Sequence, residues 1–313
     1  MTPSPLVLAL PGNDDLATRL ASSLGGEAGA LTVRRFPDGE SYVRVTSPVA
    51  GRDVVVACTL HRPDDKVLPL LFLAATAREL GAARVGLAAP YLAYMRQDRR
   101  FRDGEGVTSR YFARLLSGAV DWLVTVDPHL HRLGSLAEIY AVPARVVHAA
   151  PHLSAWIGAN VRRPLLVGPD AESAQWVRAV ADGCGAPSVV LEKVRRGDRD
   201  VSVSVPDVER WRDRTPVLVD DIVSTARTMI ETVGHLRRAG LAAPVCVGVH
   251  AVFADDAYER LLAAGAARVV TTNTIPHPSN AIDLTEPLAA AAAGELAATA
   301  APTSAATPPA APV

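Results

Sequence analysis

Lysine and cysteine are scarce in this sequence of 313 residues. Lys66 and Lys193 are the lysines among 32 basic residues, so a lysine that falls within a site motif carries more information than usual. The three cysteines, Cys58, Cys184 and Cys246, are isolated in apolar contexts. A scattered, odd-numbered set argues against a disulfide framework and against a zinc site, and it favours a reducing compartment.

The sequence also lacks an excess of charge and a long hydrophobic run. Its formal net charge is −1, which gives no electrostatic reason to expect a nucleic-acid partner. No stretch reaches the ~18–20 apolar residues of a membrane span, and no basic region precedes the first apolar run. Hydrophobic residues make up 49% and charged residues 21%, as in globular proteins. We therefore expect a cytoplasmic protein without a membrane partner, long enough for two domains of ordinary size.

Strand-like and helix-like segments alternate along the chain, as at residues 54–58 followed by residues 67–80. This βαβ alternation predicts a parallel sheet with helices on both faces. The alternation restarts after residues 146–147, which is consistent with an internal duplication of the fold, although no residue-level repeat is evident. We predict domains at residues 1–145 and 146–286, a helix at 287–298 that packs back, and a disordered Ala/Pro tail at 299–313.

Residues 217–229 combine a short apolar run, two carboxylates, a hydroxyl-rich turn and the start of a helix. Residues 217–219 form a predicted buried strand, and Asp220 and Asp221 are expected to end it. The N–H groups of residues 224–228, together with the helix dipole, would favour a phosphate at the turn. The two carboxylates would suit sugar hydroxyls or a hydrated Mg²⁺. The alternative is an ordinary strand–turn–helix with an Asp-rich cap.

Two further segments have residues suited to nucleotide binding. Residues 91–105 follow a predicted strand at 85–89, and ligands bind beyond the carboxyl ends of such strands. Their Arg, Gln, Asp and aromatic residues suit a purine nucleotide, while a solvated basic loop is the alternative. Residues 35–45 contain a Pro-Asp-Gly turn and predict a hairpin, and local sequence favours an ordinary one.

Asp127 and His129 lie two residues apart, just after a predicted strand at 122–126. Side chains in this arrangement can converge on one divalent ion, although histidine is also an ordinary polar cap. No cysteine or further histidine at zinc-finger spacing accompanies them, so Mg²⁺ held partly by substrate phosphates is the preferred interpretation. A turn with acidic residues is predicted at 168–173, and a charged, mobile loop at 194–200.

These segments together resemble the ribose-phosphate pyrophosphokinase family, the synthetases of phosphoribosyl pyrophosphate (PRPP). Residues 217–229 are similar to the family's PRPP-binding motif, and six stretches over about residues 5–290 occur in the family's order. The resemblance implies an α/β fold of two consecutive phosphoribosyltransferase-type (type I) parallel-sheet domains. It implies transfer of the β,γ-diphosphoryl group of MgATP to the C1 hydroxyl of ribose 5-phosphate, giving PRPP and AMP. It also implies Mg²⁺ as the cofactor and a homo-oligomer, at least a dimer, whose subunits share the site.

The resemblance assigns roles to individual residues. Lys193 and Arg195 match the catalytic pair at the base of a flexible loop. The other assignments are adenine binding across a subunit interface by Phe36, Asp38 and Glu40; ATP binding by Arg96, Gln97 and Asp98; metal binding by Asp127, His129 and Asp170; and ribose 5-phosphate binding by Asp220, Asp221, Ser224, Thr225, Ala226, Arg227 and Thr228.

Several residues depart from the family pattern and indicate a divergent branch. Ser224 and Arg227 stand where many synthetases carry Asp and Gly, and Arg227 could grip the 5-phosphate or crowd it. Ala-Glu-Ser follows Asp170, and His131 follows His129. The rival interpretations are a catalytically silent PRPP-synthetase-associated regulatory subunit and a phosphoribosyltransferase that consumes PRPP. The latter would need neither an ATP motif nor the Lys/Arg pair.

Overall fold

The computed structural model describes residues 3–130, 132–168, 174–195, 201–204 and 208–298. Several sequence predictions lie outside the described residues: the metal-binding role of Asp170, the departures at 131 and 171–173, residues 196–200 of the loop predicted at 194–200, and the tail at 299–313. For Lys193 and Arg195 only the backbone is described.

The first half of the chain forms a parallel sheet, a hairpin and the helices that cover the sheet. The bounds are β1 (Leu6–Ala9), α1 (Asp14–Ser23), β2 (Glu27–Ala28), β3 (Leu31–Arg35), β4 (Ser41–Val45), β5 (Asp53–Ala57), α2 (Asp64–Glu79), β6 (Arg84–Ala89), α3 (Thr108–Ser117), β7 (Trp122–Val126), a 3₁₀ turn (Leu136–Glu138) and β8 (Ala144–Val147). The sheet order is β2-β1-β5-β6-β7-β8 with all pairs parallel, and β3 and β4 pair antiparallel outside it.

The second half repeats this arrangement. The bounds are α4 (Ala150–Asn160), β9 (Pro164–Gly168), α5 (Ala174–Gly183), β10 (Ser188–Val190), β11 (Glu192–Arg195), β12 (Val201–Ser204), a 3₁₀ turn (Val208–Trp211), β13 (Thr215–Val223), α6 (Arg227–Arg238), β14 (Val245–Ala251), α7 (Ala257–Ala263), β15 (Arg268–Thr272), β16 (Asn280–Ile282) and α8 (Thr285–Ala297). The parallel order is β10-β9-β13-β14-β15-β16, and β11 and β12 form a separate antiparallel pair.

The two sheets have the same topology. When the sheet strands of each half are numbered from its start, both orders become 2-1-3-4-5-6, and a hairpin lies between the second and third strands of each. The structure thus confirms the predicted duplication at the level of fold. The hairpin β3–β4 and the hairpin β11–β12 are topological counterparts. The strand order reverses between the first and third strands, and open α/β sheets bind ligands at such a reversal.

A hydrophobic core joins the two halves. Both faces of each sheet are covered, so central strands are near-continuous apolar runs, and Val54, Val55 and Val56 are fully buried. One buried cluster includes Val124 of the first sheet and Val219 of the second, together with residues of α4 and α8. The halves are therefore held by shared apolar packing, which favours a fixed relative position over free domain motion.

Helix α8 returns to the first half of the chain, where it packs against α1, β7 and β8. It begins two residues before the predicted start at 287. Arg84 of β6 donates hydrogen bonds to the carbonyls of Glu295, Leu296 and Ala298, at 3.1, 2.7 and 3.0 Å. The last carbonyls of a helix have no partner within it, so this guanidinium caps α8 from a strand more than 200 residues away in sequence.

The prediction that Asp220 and Asp221 end their strand is wrong, because β13 continues to Val223. Its pairing with β9 stops at Leu218, but its pairing with β14 continues to Val223 opposite Ala251. Because β14 extends further along β13 than β9 does, Asp220 and Asp221 lie in the part of β13 that pairs with β14 beyond the end of its pairing with β9. Both residues are partly buried.

The loop predicted at 194–200 is wrong at its first two residues, because 194 and 195 belong to β11. Two short strands with different partners lie at residues 188–195, since β10 pairs with β9 whereas β11 pairs with β12. Leu191, between them, donates its N–H to Gly168 O at 3.0 Å and is buried. The short edge strands β2 and β16 were not predicted, since two or three residues carry too little periodicity.

Candidate active site

The carboxyl ends of the two sheets meet, and side chains from both halves touch there. His129 follows β7 of the first half, and its Nδ1 lies 2.8 Å from Asp221 Oδ2 on β13 of the second. Both side chains are partly buried, with 21% and 24% of their surface exposed. An imidazole and a carboxylate at this distance form a charge-assisted hydrogen bond when the imidazole is protonated. The structure thus brings the predicted metal-binding segment against the predicted sugar-phosphate segment.

Asp127 is held in an unusual backbone conformation at the end of β7. Its φ is +26°, outside the regions that most L-residues occupy, although aspartate tolerates positive φ better than most. Its Oδ2 accepts the N–H of Ala149 at 2.8 Å, and its Oδ1 lies 3.1 Å from His148 Nδ1. Its side chain is 13% exposed. The carboxylate is therefore positioned by the connection between β8 and α4.

The side chains at this cleft suit a Mg²⁺ ion that is shared with bound substrate, rather than an ion held by protein ligands alone. Each oxygen of Asp127 accepts one hydrogen bond, and a carboxylate oxygen has a second lone pair that can face a cation. Within the described ranges no group of three His, Cys, Asp or Glu side chains is arranged to hold a metal by itself. Mg²⁺ commonly takes one or two carboxylates and completes its shell with water and substrate phosphates, so Asp127 fits that mode.

The turn after β13 leads directly into helix α6. Asp220 Oδ1 accepts the N–H of Asp221 at 3.0 Å, and Ser224 O accepts the N–H of Ala254 at 3.2 Å. Thr225, Arg227 and Thr228 are exposed. Because α6 begins at Arg227, the first N–H groups of the helix have no carbonyl one turn earlier to bond. The turn therefore presents backbone donors, hydroxyls and a guanidinium together.

Ala226 makes this turn sharp. It adopts a left-handed conformation with φ +53° and ψ +12°, and it is buried at 8% exposure. Its carbonyl accepts the N–H of Ile230 at 2.8 Å, which closes the first turn of α6. A left-handed L-residue costs roughly 1–2 kcal/mol, and a small side chain keeps that cost low. Arg227 projects from the helix start immediately after this strained residue.

The segment after β6 is fixed by contacts within the first half. Asp98 receives two hydrogen bonds from Arg132 Nη1 at 3.1 and 3.2 Å, and the Asp98 side chain is 1% exposed. Gln97 Nε2 donates to Glu105 Oε2 at 3.2 Å. The N–H groups of Phe101 and Arg102 also donate to that oxygen and hold the pKa of Glu105 below its usual value. Arg96 is exposed.

The predicted adenine-binding turn lies at the tip of the β3–β4 hairpin. The guanidinium of Arg34 lies 4.5 Å from the ring centre of Phe36 and 4.3 Å from that of Tyr42, a cation–π arrangement. Asp38 Oδ1 accepts the N–H of Glu40 at 3.2 Å, which stabilises the turn. Among the described residues, no hydrogen bond or ring contact joins this turn to the segment at 96–98. The structure does not bring these two predicted nucleotide segments together within one chain.

The hairpin and helix α2 enclose a groove of about 420 Å³. Arg35 of the hairpin donates to Asp65 of α2 at 2.8 Å. Asp64, the residue before it, accepts a hydrogen bond from the Tyr94 hydroxyl, and this bond raises the pKa of Tyr94 to about 12. The start of α2 thus connects the hairpin with the segment after β6.

Sequence reasoning missed His250, a buried residue of β14 beside Asp127. Its Nε2 donates to the carbonyl of Asp127 at 3.2 Å, and its Nδ1 lies 2.9 Å from Thr274 Oγ1. Burial lowers the pKa of His250, which favours the neutral ring. A histidine inside an apolar strand is typical of a core position, so the sequence contained no signal for this contact.

Lys193 and Arg195 both lie on β11. Lys193 pairs with Val203 and Arg195 with Val201 in the antiparallel ladder with β12. Both therefore lie in the first arm of the hairpin between the second and third sheet strands, with Arg195 as the last residue of that arm. Their predicted catalytic role stays a prediction.

The chain has two α/β halves of the same topology. In the second half, an acidic strand and a hydroxyl-rich turn lie where the strand order reverses. These features define a protein of the phosphoribosyltransferase-type fold. Residues 135–286 match the family model of the phosphoribosyl transferase domain. Residues 6–119 match that of the N-terminal domain of ribose phosphate pyrophosphokinase. The chain belongs to the ribose-phosphate pyrophosphokinase family.

Individual relatives cover nearly the whole chain. The ribose-phosphate pyrophosphokinase of Methanopyrus kandleri is 36% identical over 288 residues, which are 91% of this chain and 98% of that protein. That of Halobacterium salinarum is 34% identical over 86% of this chain and 94% of its own length. The crystal structure of phosphoribosylpyrophosphate synthetase from Mycobacterium smegmatis superposes with a TM-score of 0.81 at 26% identity, covering 94% of this chain and 99% of that one. No helix in the described part of the chain is both long and apolar enough to cross a bilayer.

Proposed function

We propose that this protein transfers the diphosphoryl group of MgATP to the C1 hydroxyl of ribose 5-phosphate, giving PRPP and AMP. The contact between His129 and Asp221 carries the proposal. It connects the end of β7, where we propose that metal and ATP bind, with β13, where we propose that the sugar phosphate binds. A reaction between two bound substrates requires their sites to adjoin, and this contact supports that arrangement.

The sugar-phosphate end is the β13–α6 turn. The carboxylates of Asp220 and Asp221 accept hydrogen bonds from the ribose hydroxyls. The 5-phosphate binds at residues 224–228, namely Ser224, Thr225, Ala226, Arg227 and Thr228, where backbone donors and the positive end of the α6 dipole favour an anion. The exposed Arg227 adds a cation to this phosphate site.

The nucleotide end lies on the first half of the chain. Arg96, Gln97 and Asp98 bind ATP, and Asp98 does so from a position fixed by Arg132. Asp127 and His129, with Asp170, hold Mg²⁺. When bound, the ion neutralises charge on the phosphates as the diphosphoryl group moves. The residues of the chain supply the orientation of both substrates.

Lys193 and Arg195 act on the transferred group. The C1 oxygen attacks the β-phosphorus, the bond from that phosphorus to the oxygen bridging it to the α-phosphate breaks, AMP leaves, and the proton of the C1 hydroxyl passes to water. Negative charge on the moving diphosphate is greatest in the transition state, where two cationic side chains stabilise it most. Their position on the β11–β12 hairpin supports a role for them at the same strand-order reversal as Asp220 and Asp221.

We also propose that the active enzyme is at least a dimer, with Phe36, Asp38 and Glu40 binding adenine in the partner's site. The turn is exposed, and within the described residues no hydrogen bond or ring contact joins it to the 96–98 segment of its own chain. Phe36 is 39% exposed, and on the neighbouring α2 Leu68 is 54% and Phe72 47% exposed. Such apolar surface around a groove is typical of an interaction site. The domains we propose are residues 1–145 and 146–286.

The two lysines of the chain give a matched test. Lys193→Ala should lower the rate of AMP formation from ATP and ribose 5-phosphate by about 10²–10³, while ATP binding measured by calorimetry stays. Lys66→Ala is the control, because Lys66 donates to Thr59 O at 2.8 Å, outside the proposed catalytic group. Unchanged turnover in Lys193→Ala would remove this residue from the mechanism. A wild-type protein that forms no AMP, or that consumes PRPP with a free base, would favour the silent-subunit or the transferase interpretation.

A further inference from the structure

His250 lies where the second half of the chain touches the proposed metal-binding segment. It is 1% exposed, and its ring packs edge-on against Tyr91 of the first half with 5.0 Å between ring centres. Its Nε2 is 3.2 Å from the carbonyl oxygen of Asp127 and its Nδ1 is 2.9 Å from Thr274 Oγ1. Both ring nitrogens thus have partners in a nearly dry environment, where each bond fixes the ring strongly.

The direction of the bond to Asp127 follows from its acceptor. A carbonyl oxygen accepts and cannot donate, so Nε2 must carry the hydrogen whether the ring is neutral or protonated. In the neutral ring, Nδ1 then accepts from the Thr274 hydroxyl. The imidazole therefore acts as an oriented donor toward the backbone of Asp127.

Asp127 needs such support because its backbone is strained. A non-glycine residue in a sparsely populated region costs roughly 1–3 kcal/mol, and it persists when its surroundings fix it. Three of its bonds come from the consecutive residues Val147, His148 and Ala149, at 3.0, 3.1 and 2.8 Å. The fourth, from His250, comes from the other half of the chain and holds the peptide that precedes Pro128.

We infer that His250 is a positioning residue: its Nε2–H fixes the strained peptide of Asp127 and so aims the Asp127 carboxylate at the divalent cation. The inference rests on the proposed function, in which Asp127 binds metal. It goes beyond that function because a residue in the second half of the chain, His250, positions a proposed metal ligand in the first half, Asp127. Removal of a supporting hydrogen bond of this type commonly weakens metal affinity by 10- to 100-fold.

The test is Mn²⁺ binding, measured by the loss of the free-ion electron paramagnetic resonance signal, in the full-length protein. His250→Phe keeps a ring but has no donor, and we expect Mn²⁺ affinity to fall by about tenfold or more. His250→Gln can return an N–H donor near the Nε2 position, and we expect affinity close to wild type. In assays the half-saturating Mg²⁺ concentration should rise for His250→Phe, while kcat at saturating Mg²⁺ changes less.

Two further variants keep the inference open to refutation. If His250→Phe does not fold, His250→Asn replaces it, since its amide is one methylene too short to reach Asp127 and should show the same loss. Thr271→Val is the control for general destabilisation, because Thr271 Oγ1 is buried and bonds Ser279 Oγ at 2.7 Å without touching Asp127. It should lower the melting temperature and leave Mn²⁺ affinity unchanged.

The outcomes separate this inference from the proposed function. Wild-type Mn²⁺ affinity in both His250→Phe and His250→Asn would overturn the positioning role and leave the metal assignment standing. Equal losses in His250→Gln and His250→Phe would also overturn it, because the donor would not be the cause. A wild-type protein that binds no Mn²⁺ would contradict the metal assignment itself.

Discussion

Replacing Arg84 by methionine should loosen helix α8 from the rest of the protein. Arg84 forms two hydrogen bonds with the carboxylate of Asp53, at 2.8 and 3.0 Å, and three with the terminal carbonyls of α8. The Arg84 and Asp53 side chains are 20% and 17% exposed. Hydrogen bonds to Asp53 also raise the pKa of Arg84, so it is charged at every pH of interest. Methionine keeps much of the apolar stem and removes all five bonds.

The magnitude follows from what the substitution leaves behind. A hydrogen bond to a charged group contributes about 1.5–3 kcal/mol, but five bonds that share one guanidinium do not add. Asp53 would be left largely buried without its counter-ion, and breaking one side of such a pair costs about 3–5 kcal/mol when burial is complete. Because about a fifth of each side chain is exposed, we expect a loss near 3 kcal/mol. That corresponds to a fall of about 5 °C in melting temperature for a chain of this length.

Hydrogen–deuterium exchange gives the decisive readout. Amides in the last turns of α8 should show the largest increase in exchange rate in Arg84→Met, whereas amides of the central strands β5 and β13 should exchange faster only as far as the loss of global stability requires. Arg260→Met is the control, since its ion pair with Asp256 is 3.8 Å long and its side chain is 54% exposed. It should cost less than about 0.5 kcal/mol. A loss below 1 kcal/mol in Arg84→Met, or an increase in exchange rate that is no larger in α8 than in β5 and β13, would refute the reasoning.

Two other substitutions test local features. Ala226→Val should lower stability by about 2 kcal/mol in urea titration, because a β-branched residue fits poorly at φ +53°. It should also weaken ribose 5-phosphate binding, whereas Ala226→Gly should be near neutral, and equal stability of Val and wild type would contradict the left-handed turn. Burial raises the pKa of Asp283, but hydrogen bonds from Thr285 and Arg19 outweigh it and hold the pKa below its ordinary value of 3.8. Stability from Asp283 is therefore present at neutral pH and lost as pH falls through the folded pKa, so Asp283→Asn should cost under about 1 kcal/mol at pH 7 and progressively less as the pH falls below 3.8, and a gap independent of pH would contradict this.

Local sequence predicted the fold well because its signals are local. The apolar runs at 54–58 and 85–89 are β5 and β6 within one residue, and the Pro-Asp-Gly turn lies in the β3–β4 hairpin. The site was harder to predict. The end of β13 depends on how far β14 extends beside it, which is a property of the neighbouring strand.

Residues that join distant segments could not be predicted at all. His250 contacts Asp127 across 123 positions of sequence, and it sits in an apolar strand where a histidine is an ordinary core residue. Arg84 contacts α8 across more than 200 positions. The residues next to His250 and Arg84 in the sequence do not indicate what these side chains contact, because both contacts form only when the two halves of the chain pack together. The residue that we infer to position Asp127, His250, therefore belongs to no motif.

The most direct test of the proposed function follows the label from [γ-³²P]ATP in a reaction with ribose 5-phosphate and Mg²⁺. Transfer of an intact diphosphoryl group predicts that the label appears in PRPP and that AMP forms in equal amount. Label in a singly phosphorylated product together with ADP, or release as inorganic phosphate without PRPP, would contradict the account.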